Sequence, residues 1–210
     1  MHLKALCQFM KARSKQPVKT GAGVLPFALH EGRAQFLFHK TFSGRRAGLL
    51  VDFGGGAQAA ETAFETAARE FVEETEGLFL SPEIRRASAA GSEYRRQFRE
   101  MQALLARTQE AHADWWCRRR VQPGKQEREW CTYFVEVGYR DVTGMNAAWE
   151  ADAGRRFKKR RELLWVPADR LLEIFARQPD KLWKRVRELE TAPNVITAIR
   201  RVLEVRGQPG

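Results

Sequence analysis

The sequence predicts an α/β protein in which a mixed sheet is flanked by helices. Three observations carry that expectation. The apolar run Gly21–His30 (GAGVLPFALH) is followed, across Glu31-Gly32, by the partly alternating Arg33–Lys40 (RAQFLFHK), which is the pattern of a β-hairpin. Two later segments, near 62–76 and 92–111, repeat apolar residues at helical spacing. Strand-like and helix-like stretches then follow without regular alternation, which argues for a mixed sheet over a parallel one.

Each element has a local reason. Phe42–Gly48 (FSGRRAG) reads as a loop, and Leu49–Phe53 as a short strand that Gly54-Gly55-Gly56 breaks. Thr62-Ala63-Phe64-Glu65 has the T-x-x-E form of a capping box, so a helix begins there and runs to Glu76, with Gly77 as its stop. Tyr94, Phe98, Met101 and Leu105 recur every three or four residues and give a helix over Ser92–Ala111 one apolar stripe. Trp115–Val121 and Trp130–Tyr139 read as strands, the second rich in aromatic and β-branched residues. Leu163–Val166 is a short strand leading into a helix over Ala168–Arg177. Helices over Lys181–Leu189 and Val195–Val205 close the chain.

The 210 residues suit one domain with an insertion, and 43% hydrophobic with 30% charged residues is a globular balance. Disorder, collagen and a disulfide scaffold are excluded as readings of the whole chain, and no apolar run approaches the roughly 18 residues of a membrane span. Cys7, Cys117 and Cys131 form no paired framework, which points to a reducing compartment. Met1–Pro17 reads as a basic extension whose apolar stretches are too short for a secretory signal; with no acid before Glu31 an organellar transit peptide is the alternative, and a cytoplasmic location is expected.

Charge is distributed unevenly. Residues 51–80 hold seven acids and one Arg, a net of −6, while the remaining residues hold 36 bases against 19 acids, a net of +17. Such a basic frame suits polyanionic partners, or solubility alone. Within the acidic island, stepping about 100° per residue from Glu70 puts Glu74 near +40° and Glu73 near −60°, so all three carboxylates share one helix face. Phe64, Ala67, Ala68 and Phe71 lie on the packing face. Like charges within one turn repel. A divalent cation removes that cost, and oxygen-only ligands favour Mg2+ or Mn2+ over zinc. His112 and Cys117 have no second pair at zinc spacing, and neither a Walker A sequence nor GxSxG is present.

The whole pattern narrows this further. Gly55, five residues, Glu61, seven residues, Arg69-Glu70-Phe71-Val72-Glu73-Glu74 resembles the Nudix box, G-x5-E-x7-R-E-U-x-E-E-x-G-U, where U is bulky and apolar. It departs from the pattern once: Thr75 and Glu76 both precede Gly77, where the family has a single residue. The resemblance implies an α/β/α sandwich, here residues 18–206 with the box at 55–78 and a helical insertion at about 81–113. It implies a Nudix-type pyrophosphohydrolase that uses Mg2+ or Mn2+ to cleave a phosphoanhydride in a nucleoside diphosphate linked to another moiety, or in a related polyphosphate.

By motif position, Glu70, Glu73 and Glu74 would be metal ligands, one of them assisting as base, and Gly55 or Gly56 would lend a carbonyl. Arg69 and Glu61 would brace the helix, with Glu65, four residues before Arg69, competing for that role. Glu162 is the candidate ligand from outside the box, against Glu127, Glu129 and Glu136. Many members look dimeric, so a homodimer is carried as an expectation.

Substrate marks are thinner. The proline associated with ADP-ribose hydrolases is missing near Ser92 and Glu93. Tyr94 stands at about the spacing linked to dinucleoside polyphosphate hydrolases, yet it also lies on the apolar stripe, and core packing is the better account. Arg45 and Arg46, just ahead of the box, can meet phosphate oxygens bidentately, or remain a solvated loop. Arg155–Arg161 (RRFKKRR) could bind RNA or a polyphosphate tail, although such runs are mostly solvated. Trp115, Trp116, Trp130 and Trp149 could stack a base or fill a core. The competing class is a catalytically silent Nudix-fold module that binds RNA or nucleotide. The three mutually repelling carboxylates argue against it, and the basic frame mildly for it.

Overall fold

The computed structural model describes residues 20–81, 83, 91–120, 129–152 and 160–207. The extension 1–17, the competitor Glu127 and most of the basic run 155–161 lie outside the described residues.

Strand β1 (Gly21–His30) is the hub of the sheet. Its second half pairs antiparallel with β2 (Arg33–Thr41), with His30 opposite Arg33. The turn between them has positive φ at both Glu31 and Gly32, the conformation of tight hairpins whose twist matches the flanking strands. The first half pairs antiparallel with β3 (Phe53–Gly56), Gly21 opposite Gly56. The other edge of β1 runs parallel to β5 (Trp130–Glu136), and β4 (Trp116–Arg118) extends the sheet beyond it. On the far side, β2 pairs antiparallel with β6 (Arg161–Pro167), so the strand order is β4-β5-β1-β2-β6 with β3 beside β1. The sheet is mixed, as expected.

Helices cover both faces and make an α/β/α sandwich. On one face α1 (Ala63–Glu74), α2 (Ser92–Ala111) and α3 (Thr143–Ala151) enclose Val24, Leu37, Phe53, Phe71 and Met101, all fully buried. On the other, α4 (Ala168–Arg177) and α6 (Ala192–Arg206) cover Leu25, Phe36, Leu171 and Ile199. Neighbours along β1 and β2 alternate between the two cores, which is the period-two rule of a strand buried on both sides. Each such Leu or Phe contributes roughly 1.5–3 kcal/mol by leaving water.

Four expectations need correction. Gly54-Gly55-Gly56 does not break a strand: it continues one, while Leu50 and Val51 make only isolated bridges. At Gly54 the backbones crowd, since a Cβ there would lie 2.6 Å from the Ala22 carbonyl oxygen. Second, α1 ends at Glu74, two residues early. The Gly77 N–H bonds the Val72 carbonyl and the Glu76 N–H the Glu73 carbonyl, a Schellman close. Glu76 therefore holds the left-handed position (φ 50°) where a glycine is usual, and Gly77 follows it with φ 72°. Third, 181–189 is no continuous helix but a 3₁₀ turn, Pro179–Lys181, and a single-turn α5, Lys184–Arg187. The bridge of Leu50 to Leu182 holds that stretch extended against the sheet's edge. Fourth, α3 is an additional helix, too short for its periodicity to stand out, whose Met145 and Trp149 bury one turn apart.

Candidate active site

The site forms where β3, the loop after it and α1 meet. Thr62 caps α1 with both bonds of the capping box: the Glu65 N–H donates to Thr62 Oγ1 (3.2 Å), and the Thr62 N–H donates to Glu65 Oε2 (2.8 Å). Glu65 is thereby occupied, and Arg69 turns to Glu61 instead. Arg69 Nε donates to Glu61 Oε1 (2.6 Å) and Nη2 to Glu61 Oε2 (3.0 Å), a bidentate clamp. The same Nη2 donates to the Gly56 carbonyl oxygen (2.9 Å), so one guanidinium ties helix, loop and glycine strand together. The hydrogen bonds from Arg69 hold the Glu61 carboxyl below its ordinary range.

The remaining arm of Arg69 gathers two carboxylates. Its Nη1 donates to Glu70 Oε1 (2.8 Å) and to Glu73 Oε2 (3.1 Å). Glu70 lies flat against the strand: a Cβ on Gly55 would fall 2.2–2.4 Å from its three carboxylate atoms. Burial pushes the Glu70 carboxyl above its ordinary range despite Arg69, and the charges of Glu74 and Glu73 push the same way. Glu73 is the open member, with its side chain 44% exposed. Tyr94, reaching over from α2, donates its hydroxyl to Glu73 Oε1 (3.3 Å) while its ring packs on the core. Burial and Glu73 together raise that phenol well above the usual tyrosine range.

Glu74 goes elsewhere, although it shares the helix face. It accepts the Gly54 N–H (2.8 Å) and faces three cationic or imidazole groups: Arg161 Nη1 at 3.5 Å, His39 Nε2 at 3.6 Å and Arg46 Nη1 at 3.8 Å. Burial alone would raise its carboxyl, but His39, Arg161 and Arg185 outweigh it and bring the value down to about 2. Burial lowers the pKa of the fully buried His39 below that of a free imidazole. Arg161 Nη1 donates to His39 Nδ1 (3.0 Å), which places the ring proton on Nε2, aimed at Glu74. Among the described residues no three His, Cys, Asp or Glu side chains are arranged to hold a metal ion. Helical spacing brings the three box carboxylates to one face; Arg69 binds Glu70 and Glu73, while Arg161, Arg46 and His39 face Glu74, whose charge still acts on Glu70.

The residues nonetheless suit a hard cation in part. Glu70 fills the cradle that the missing Cβ of Gly55 leaves, and Arg69 holds Glu73 beside it, so two carboxylate ligands stand together. Mg2+ ordinarily takes one or two carboxylates and keeps waters or substrate phosphates on its other positions. Gly56 already receives Arg69, so of the two glycine carbonyls Gly55 is the candidate.

The other expected residues divide. Arg46 joins the site, with its guanidinium 5.3 Å from the centre of the Trp183 ring and beside Glu74. Arg45, in the same 3₁₀ turn (Gly44–Arg46), stays exposed. Glu162 is displaced by strand geometry. Arg161 and Leu163 face α1 and the box, so Glu162 between them, opposite Lys40, projects to the other face of the sheet. Glu136 pairs with Arg206 (2.9 Å), and Glu129 lines the cleft described next. Trp115, Trp130 and Trp149 are buried in the cores and Trp116 is partly exposed on β4, so packing accounts for the buried three.

The sequence gives no sign of His39, of the place of Arg161 beside Glu74, or of a second buried network. Arg185 Nε donates to the fully buried Asp52 (2.9 Å), its Nη1 to the Gly54 carbonyl (2.8 Å), and its guanidinium lies 4.1 Å over the Trp130 ring. The Asp52 carboxylate also receives Thr132 Oγ1 (3.3 Å). These groups come from α5, β3, β5 and the residue before β3, and no local spacing announces them. A cleft of about 930 Å³ opens beside the glycine strand, between the loop Gly55–Ala59 and the segment Trp183–Arg185.

No protein-family model and no curated protein matches the chain. Solved structures similar in backbone include Nudix proteins. One is a C. elegans Ap4A hydrolase in a binary complex, at 11% identity and TM-score 0.47, over 89% of this chain and 98% of that one. Another is the M. smegmatis Nudix hydrolase RenU, at 16% identity and TM-score 0.42, over 89% and 86%. A third is the NUDIX domain of Shewanella oneidensis NrtR complexed with ADP ribose, at 11% identity and TM-score 0.42, over 82% and 87%. At such low identities and scores these likenesses carry no argument about what this chain does.

Proposed function

We propose that this chain is a Nudix-type, metal-dependent pyrophosphohydrolase, cleaving a phosphoanhydride in a nucleoside diphosphate linked to another moiety or in a related polyphosphate. The observation that carries the reading is the Glu70 carboxylate seated on Gly55, with Glu73 drawn beside it by the arginine that also clamps Glu61. That is the box pattern expressed as geometry. A bound Mg2+ or Mn2+ would offset charge on the phosphoryl oxygens and acidify a water.

The chain's own groups do the rest. Glu70 and Glu73, with the Gly55 carbonyl, offer the ligands; Arg69 holds both carboxylates in place and limits their repulsion. Glu70, whose proton affinity burial raises, is suited to accept a proton from the attacking water. Glu74 remains ionised against His39 and Arg161 and anchors the strand through the Gly54 N–H. Its entry into a ligand set would compete with those partners.

The test is hydrolysis of nucleotide sugars, dinucleoside polyphosphates, NADH, ADP-ribose, capped RNA and inositol pyrophosphates, with and without Mg2+ or Mn2+, by wild type and Glu73→Gln. We expect activity that requires metal and falls at least about 10²-fold in the variant. Activity that survives chelation, or is unchanged by Glu73→Gln, would overturn the reading. Silence across the panel with RNA binding that weakens steeply with salt would favour the binding module.

A further inference from the structure

We infer that the protein has a second ligand site, on the opposite face of the sheet from Glu70 and Glu73, which takes a small amphipathic anion with an aliphatic body and a single negative head. The site is a pocket of about 360 Å³ between β2, β6 and α4, bounded by the chain at Gly48 and by Lys181. The inference does not rest on the hydrolase reading.

Strand alternation builds the pocket. Leu37 and His39 of β2 face the box, so Phe38 and Lys40 face the other side, as do Leu164 and Val166 of β6. The floor consists of Leu50, Leu164, Val166 and Ile174, all part of the core on that face or packed against it. Trp165 also borders the pocket, but its ring packs on the opposite core and its Nε1 donates to the Arg140 carbonyl (2.8 Å). The described walls are therefore aliphatic, without an aromatic face. Backbone bonds hold one wall in place: the Leu50 N–H donates to the Lys181 carbonyl (2.9 Å), and the Trp183 N–H to the Leu50 carbonyl (2.9 Å).

Charge selects the head group. Lys40, Arg170 and Lys181 line the pocket, and no acid is among its described lining residues. Arg170 is already engaged, by Glu173 and by Gln178 Oε1 (3.2 Å). Lys40 and Lys181 form no salt bridge with a described residue, although Lys40 stands opposite Glu162 and the charge of Lys181 helps to lower the Glu173 carboxyl. Two ammonium groups above an aliphatic floor match one anionic head on an alkyl body. A polyanion would set uncompensated charge against apolar walls, which is costly. The volume lies at the small end of the range for small-molecule sites, which suits a ligand of that kind.

Octanoate, hexanoate, octanol and octylammonium are the probes, titrated into the full chain and followed by methyl-resolved NMR. Octanoate should shift the methyls of Leu50, Leu164, Val166 and Ile174 first. Each methylene that leaves water adds about 4-fold in affinity, so octanoate should bind roughly 15-fold more tightly than hexanoate. Octylammonium, with the same tail and the opposite charge, should bind at least about 10-fold more weakly than octanoate. Lys40→Gln combined with Lys181→Gln should weaken octanoate by about 5-fold or more and leave octanol within about 2-fold. The double variant breaks no salt bridge between described residues, and an unchanged amide spectrum checks that it folds. Four results would each overturn the inference: octylammonium binding as tightly as octanoate, shifts centred outside those four residues, octanoate affinity unmoved in the double variant, or no saturable shift up to about 50 mM. None of them bears on phosphoanhydride hydrolysis, which is read in a separate assay.

Discussion

Replacing Gly55 with Ala separates the site's chemistry from its stability. The added methyl would stand 2.2 Å from Glu70 Oε1, 2.3 Å from its Cδ and 2.4 Å from Oε2. Carbon and oxygen in ordinary contact are well over 3 Å apart, so the carboxylate must retreat by roughly 1 Å. It is the far end of a flexible side chain, and Gly55 does not have a positive φ, so the backbone accepts Ala. Stability should change by less than about 1 kcal/mol, because the lower entropy of the unfolded chain offsets part of the crowding. The displaced ligand should cost about 10²-fold in kcat/KM, with a matching loss of Mn2+ affinity read by electron paramagnetic resonance. Gly54→Ala is the control of opposite character. Its Cβ would meet the Ala22 carbonyl oxygen and the Gly23 Cα at 2.6 Å, backbone that cannot step aside, so urea denaturation should show a loss of roughly 1–3 kcal/mol. A Gly55→Ala protein that keeps metal affinity and rate within about 3-fold would refute the placement of Glu70.

The buried ion pair and the acid-labile carboxylate give two further tests. Arg185→Leu strands the fully buried Asp52 and removes a donor to Gly54, and should cost about 3–5 kcal/mol by urea denaturation. Adding Asp52→Asn should recover part of that loss, and a cycle showing strict additivity would discount the pair. Glu74 has its folded value depressed from 4.5 to about 2, so its contribution is complete above the unfolded value and fades as pH falls between those two figures. That window is worth on the order of 3 kcal/mol. Stability measured against pH should therefore fall less steeply there in Glu74→Gln than in wild type, and parallel curves would contradict the assignment.

Legibility followed range along the chain. The hairpin, the capping box at Thr62, α2 to the residue and α4 to the residue were all readable, because each is decided by neighbours within about one turn. The Arg69–Glu61 clamp was readable as a motif spacing and found as a contact. The glycine run misled, since the same residues that end strands also allow two backbones to approach, and only the position of Ala22 distinguishes the cases. Segment 181–189 has helix-forming residues, yet pairing of Leu50 with Leu182 overrides that propensity.

The sequence by itself determined the layered α/β plan, the helix that carries Glu70, Glu73 and Glu74, and their common face, since periodicity and capping are local properties. Which of those carboxylates stand together was decided by tertiary structure. Arg69 binds Glu70 and Glu73, while His39 from β2 and Arg161 from β6 face Glu74. Those two strands meet α1 only after folding, and a Coulomb interaction acts through space across residues far apart along the chain. The same holds for the cleft, where Arg46 and Trp183 come together from positions far apart along the chain.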